Sequence, residues 1–307
     1  MSGSANIQYL TNQQIDKTKW DQCIDKADNG LIYAYSWYLD NMAKHWDALV
    51  LNDYEVVMPL TWKKKYGICY LYQPFLTAQL GVFGERVTER QCGDFIQAIP
   101  SKFWYIDISL NSGHISGIPT GYRIHRLNHI LDLSKPYENL YKKYGENIQR
   151  NIKKAEQAGC KREKGFDAEK VIDLAVQQMK SHSKESSDNV IRFQKLYQLL
   201  DAEKKAITYG VSLQNELLAS AIFFFSHNRA YYILVGNHPN GKTIGASHML
   251  IDSFIKDYAG KDMLLDFEGS DIPSLALFYR SFGADGIVYP QLRLNRLPFF
   301  LRWLKGG

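Results

Sequence analysis

Apolar and polar residues change rhythm several times along the chain, and each rhythm predicts an element. Ile15, Trp20, Cys23, Ile24 and Ala27 fall at helical spacing over residues 15–27, and Asn29-Gly30 ends the run. Ser36 stands where it can cap a helix over 37–45. Strand-like runs follow at 48–51, 56–61 and 68–72, with Lys63-Lys64-Lys65-Tyr66-Gly67 as an exposed hairpin turn between the last two. A helix over 86–98 stops at Pro100. A strand covers 104–110, a Gly/Ser/Pro loop 111–121, and one long strand or a strand pair 122–133.

Leu133-Ser134-Lys135-Pro136 reads as a hinge, and the composition shifts after it. Residues 137–164 carry Leu140, Tyr144, Ile148, Ile152 and Ala155 at three- and four-residue steps. Lys142, Lys143, Arg150, Lys153 and Lys154 lie on or beside the other face, and Gly159 closes the helix. Helices are then predicted over 168–180 and 193–201, a strand over 206–213, and a hairpin of 216–226 with 229–236 around His227-Asn228. A turn-rich loop over 237–244 leads to a helix over 245–258, a short strand over 263–267, a helix over 273–282 with Pro273 in its first turn, and an extended segment over 287–297. The fold class is α/β, mixed sheets flanked by helices, in two domains: 1–133 and 134–307.

The length of 307 residues at about 150 per domain agrees with two domains. Hydrophobic residues at 45% and charged residues at 22% exclude a disordered chain, a collagen-like repeat and a disulfide scaffold. A net charge of +5 admits an anionic ligand without requiring nucleic acid. Cys23, Cys69, Cys92 and Cys160 form no CxxC, and the histidines form no HxxxH, so reduced thiols and no metal site are expected. No basic-then-apolar leader and no apolar stretch of about 20 residues is seen, which points to the cytoplasm. The segment from Pro298 to Lys305 either docks on the protein's own core or grazes a membrane surface.

The strand ending at Val235-Gly236 runs through a loop holding Lys242 into a helix at Gly245-Ala246. Bare N–H groups and a partial positive charge at that helix start suit a phosphate, and the same Gly loop also fits a plain strand-to-helix connection. Strands parting near residue 236 would aim main-chain N–H groups at a carbonyl, with Tyr232 on the same strand against the substrate. Asp266 and Glu268, two apart on a strand, would share a face at its carboxyl end, where ligands of open α/β sheets sit; Glu268 is the nearer to that end. They fit a base, or salt-bridged and capping groups on the Gly269-Ser270-Asp271 turn. Tyr279 fits a proton donor or a core aromatic. Arg150, Lys153 and Lys154, at i, i+3 and i+4, suit a diphosphate or a solvated face.

Lys242-Thr243-Ile244-Gly245-Ala246 resembles a degenerate Arg/Gln-x-x-Gly-x-Gly/Ala loop of GNAT N-acyltransferases, and Leu265-Asp266-Phe267-Glu268-Gly269 resembles the strand after it. Residues 276–283, with Tyr279 before Phe282-Gly283, resemble the segment in which GNAT enzymes carry a tyrosine. Residues 144–155 resemble a stretch of the FemABX family, tandem GNAT-like proteins; Tyr35-Ser36-Trp37, Pro74 and residues 79–83 fit that family's first domain. The resemblance implies N-acyl transfer onto an amine of a cell-envelope (peptidoglycan) precursor, with no tightly bound cofactor. Aminoacyl-tRNA or acyl-CoA would be the co-substrate, and a nucleotide-linked muropeptide or another amine the acceptor. FemABX ligases have Phe-Lys where this chain has Phe278-Tyr279, which favours as an alternative an acyl-CoA-dependent N-acyltransferase; the loose match of residues 242–246 to the phosphate loop leaves a non-catalytic binding protein on the same shell as a third reading.

Overall fold

Side-chain caps start several of the helices. The Asp16 carboxylate accepts the Thr18 and Lys19 N–H groups and starts α1 (Lys17–Lys26), which follows β1 (Ile7–Leu10) and buries Trp20, Cys23 and Ile24. After α2 (Ser36–Met42), the strands β2 (His45–Leu51), β3 (Val56–Lys65), β4 (Ile68–Tyr72) and β5 (Phe83–Gly84) lead to α3 (Glu89–Gln97). Thr88 and Gln91 close a reciprocal cap at the start of α3. β6 (Phe103–Ser109) and β7 (Arg123–Asp132) follow. The computed structural model describes residues 6–113, 123–180, 187–269 and 271–299. The expected loop over 111–121, from 114, and the C-terminal segment, from 300, lie outside the described residues.

The later elements are α4 (Tyr137–Tyr141), α5 (Glu146–Gln157), β8 (Lys161–Lys164), α6 (Ala168–Lys180), α7 (Ser187–Ala202), β9 (Ala206–Leu213), β10 (Glu216–Ser226) and β11 (Arg229–Asn237). Then come α8 (Pro239–Ile244), α9 (Ala246–Tyr258), β12 (Leu264–Asp266), α10 (Pro273–Arg280) and β13 (Asp285–Asn295). Two compact units result: the chain up to Arg126 with the stretch from Val288, and Leu127–Ile287. The hinge expected at 133–136 falls inside the second unit, and most of the last strand joins the first.

In the first unit the strand order is β1-β2-β3-β4-β6-β13, with β5 on β3. Its parallel pair, β4 and β6, ends at Tyr72↔Asp107. The gap beyond is occupied by the Gln73 carboxamide, whose oxygen accepts the Ser109 N–H (2.9 Å) and whose NH2 donates to the Thr77 carbonyl (2.7 Å). Pairing resumes at Leu80↔Leu110. The second unit orders its strands β7-β12-β11-β10-β9-β8 and buries Phe223, Tyr232, Phe254, Leu265, Phe267 and Phe282 in one cluster with α5, α9 and α10.

Two expected elements are corrected. The helix over 137–164 is α4, α5 and then a strand: the Gly145 N–H turns away to the Ser281 carbonyl (2.8 Å), and Gly159 leaves α5 at φ +81°. β8, Lys-Arg-Glu-Lys, is wholly exposed and is a strand through its backbone ladder with β9, so no apolar alternation betrays it. The loop over 237–244 contains α8, with Pro239 in its first turn and His238 Nδ1 accepting the Asn240 N–H.

Gly236 is where α6 meets β11. A Cβ there would stand 2.7 Å from the Ala175 nitrogen and 2.9 Å from Leu174 Cγ. Gly236→Ala is expected to destabilise the protein by about 2 kcal/mol, as overpacking does. Urea unfolding measures it.

Candidate active site

β11 and β12 run parallel but pair over only three residues, Arg229↔Leu264, Ala230↔Leu265 and Tyr231↔Asp266. β11 continues to Asn237 with β10 on its other side. The strands therefore part after Tyr231, earlier than the expected position near 236. Just beyond the parting, β10 pairing jumps from Ile222↔Leu234 to Phe223↔Tyr232, so Ile233 is one residue in excess. Such a bulge re-aims the backbone that follows it. At the end of β11 the Asn237 N–H is taken by Gln178 Oε1 (2.6 Å).

Past the parting the chain stays with β7 and leaves β11. The Phe267 N–H donates to the His129 carbonyl on β7 (3.0 Å), and the Glu268 N–H donates to Asp266 Oδ1 (2.8 Å). Asp266 Oδ1 also accepts from Asn128 Nδ2 (2.9 Å), and Oδ2 pairs with Arg229 NH1 (2.6 Å). Glu268 and Gly269 then take positive φ, +64° and +85°. The expectation that Asp266 and Glu268 share a strand face is thus corrected. β12 ends at Asp266, which is 2% exposed and ties β7, β11 and the following turn together, the salt-bridged alternative raised above. Glu268 has left the strand.

On the core face a contact series runs from the parting. Tyr232 meets Phe267 edge-on (centroids 6.0 Å), Phe267 stacks on Tyr279 (4.4 Å), and Tyr279 lies 6.0 Å from His129. Burial, then the charge of Glu268, pushes the Tyr279 phenol well above its ordinary range; burial, then Tyr279, does the same to Tyr232. Both phenols stay protonated. His129 is wholly buried, and burial followed by the nearby Arg280 lowers its pKa. Neither of its ring nitrogens has a hydrogen-bond partner among the described residues. Sequence reading missed His129, although it shares the parity of buried Leu131 and Leu133.

The structure separates the other expected residues into two places. Val235 packs on the core cluster, and Gly236 faces α6. Lys242 is exposed on α8. Gly245, at φ +90°, and the buried Ala246 start α9. A Cβ on Gly245 would lie 2.4 Å from the Asn151 carbonyl oxygen, so this glycine admits α5 rather than leaving an open cradle. α5 thereby brings its basic turn beside the loop. Arg150, Lys153 and Lys154 are exposed there, with Arg150 NH2 on Asn147 Oδ1 (2.8 Å). In the first turn of α9, burial drops the His248 pKa to about 4, and its ring stands edge-on to Phe278. All four cysteines are free thiols. Among the described residues no group of His, Cys, Asp and Glu is placed to hold a metal, and no helix is long and apolar enough to cross a membrane.

Comparison with known proteins places this geometry. Residues 142–271 match the family model described as "Acetyltransferase (GNAT) domain". Among solved structures, FemX superposes with a TM-score of 0.66 at 12% identity, covering 94% of this chain and 98% of that one. The C-terminal domain of a putative lysylphosphatidylglycerol synthetase from Agrobacterium fabrum gives 0.54 at 9% identity, with 92% of each chain covered. A tandem GNAT protein from the clavulanic acid biosynthesis pathway gives 0.51 at 8%, covering 95% and 99%. No curated protein matches the sequence. The fold is that of tandem GNAT proteins.

Two outcomes follow from the site's electrostatics. Arg229→Met leaves Asp266 buried without its cation and is expected to cost about 3 kcal/mol in denaturant unfolding. The folded His248 pKa lies below its ordinary 6.5, so the unfolded chain binds more protons between the two values, and stability is lost as pH falls through that window. Between about pH 7 and pH 5, His248→Phe is expected to lose less melting temperature than the wild type.

Proposed function

We propose that this chain, a tandem GNAT-fold protein whose residues 142–271 match the GNAT domain, is an N-acyltransferase that moves an acyl group from an activated thioester or ester onto an amine. The observation that carries the reading is the parting of β11 from β12 after Tyr231, with the Ile233 bulge beside it. Main-chain N–H groups of residues 232–236 on the parted edge would polarise the donor's carbonyl and hold the negative charge that develops on its oxygen. The amine attacks that carbon, a C–N bond forms, and the bond to the leaving sulfur or oxygen breaks. Tyr279, kept protonated by burial and by Glu268, supplies the proton the leaving group needs.

Tyr279 favours a CoA thioester as donor, and charged tRNA is the other arm of the test. An amine of a cell-envelope precursor, a nucleotide-linked muropeptide among them, is the acceptor class in keeping with the FemABX resemblance. Exposed Arg150, Lys153 and Lys154 would meet an anionic part of either substrate. Lys242 is a further cation on α8.

The test incubates the full-length protein with acyl-CoAs or charged tRNA and with UDP-linked muropeptide or simple amines, and follows the acceptor's mass. A gain of one acyl or aminoacyl unit is expected. Tyr279→Phe is expected to slow turnover by about 100-fold with donor affinity nearly unchanged. If no donor yields product and the melting temperature ignores CoA, acyl-CoA and muropeptide alike, the shell is a binding protein and the enzymatic reading falls.

A further inference from the structure

We propose that His129 is the base that takes the proton from the attacking amine, an assignment that rests on the acyl-transfer reading and deepens it. Three observations carry it. His129 is fully buried on β7, and both ring nitrogens lack a hydrogen-bond partner among the described residues. Burying such a group unsatisfied is unfavourable, a cost that a ligand's N–H would remove. The ring adjoins Tyr279, at the end of the contact series that begins where β11 and β12 part. Finally, the charged groups around it leave the imidazole neutral. Arg280 on α10 opposes a proton on it, Tyr279 beside Arg280 stays un-ionised, and Glu268 after β12 acts on Tyr279. A neutral imidazole has a lone pair free to accept.

The proton count closes without another reactant. The amine nitrogen bonds to the acyl carbon and gives its proton to His129. The leaving thiolate or alkoxide takes the phenolic proton of Tyr279. The imidazolium, disfavoured by burial and by Arg280, then returns a proton to the phenolate, and both groups are restored. Glu268, the base expected from sequence, keeps the role of holding Tyr279 protonated.

The test compares pH profiles of kcat/KM for the wild type, His129→Gln and Glu268→Gln with one donor and acceptor pair. Donor affinity and thermal unfolding are measured alongside. The wild-type rate is expected to rise with pH through a limb below the ordinary histidine range. His129→Gln is expected to bind donor unchanged, lose about 100-fold in turnover and lose that limb, while Glu268→Gln retains the limb. In the histidine-labelled wild type, a ring resonance is expected to titrate at the limb's midpoint, a readout that needs no folded variant. An unchanged His129→Gln profile, a limb that vanishes with Glu268, or no histidine titrating at the midpoint overturns the assignment alone. No turnover by the wild type with any donor overturns the acyl-transfer reading and the assignment together.

Discussion

A parallel strand pair that stops after three residues leaves the edge of the longer strand without a partner. Unpaired main-chain groups are costly when buried, so the stop has to be imposed. Here the Leu264 N–H still donates to the Asn228 carbonyl at the start of β11, but the Glu268 N–H, on the same side of the alternation, is taken by the Asp266 carboxylate, while the Phe267 N–H keeps the β7 side at the His129 carbonyl. Left-handed backbone at Glu268 and Gly269 then carries the chain off the sheet. The Asp266–Arg229 pair and Asn128 fix that carboxylate. Asp266 thus shapes the opening from the far face, while Tyr232, Phe267, Tyr279 and His129 line up on the near one.

The first unit shows what happens when the same opening is filled. Its parallel strands also stop, after Tyr72↔Asp107, but the Gln73 side chain takes the Ser109 N–H and the ladder restarts at Leu80. A carboxamide there does the work that a substrate carbonyl would do in the second unit. In the proposed reading, that difference, rather than any difference in strand order, is why the second unit would carry the chemistry.

Much of this fold was legible because burial leaves a period in the sequence. The hairpin of β10 and β11 around His227-Asn228, the helix α9 and the Pro-started α10 all follow the expected spans. β8 was illegible because its four charged residues pair only through their backbone. Glu268 was misplaced because parity presumes that a strand continues, whereas here the chain turns at positive φ with the Glu268 N–H on Asp266. At Gly245 the sequence motif left a phosphate cradle and a plain connection both open; the missing Cβ admits the Asn151 carbonyl of α5, a contact between segments distant in the chain. His129 carried one visible sign, a polar residue on an apolar parity, and its unsatisfied nitrogens appear only once its neighbours are in place.

The proposed acyl transfer depends on the open edge of β11, and amide hydrogen exchange reads that edge directly. In the free protein, N–H groups of residues 232–236 on the parted side should exchange much faster than the paired ones of residues 229–231, and a bound acyl donor should slow them. Equal, strong protection across 229–236 in the free protein, with no response to any acyl donor, would mean that the strands are closed and that the acyl carbonyl has no seat there.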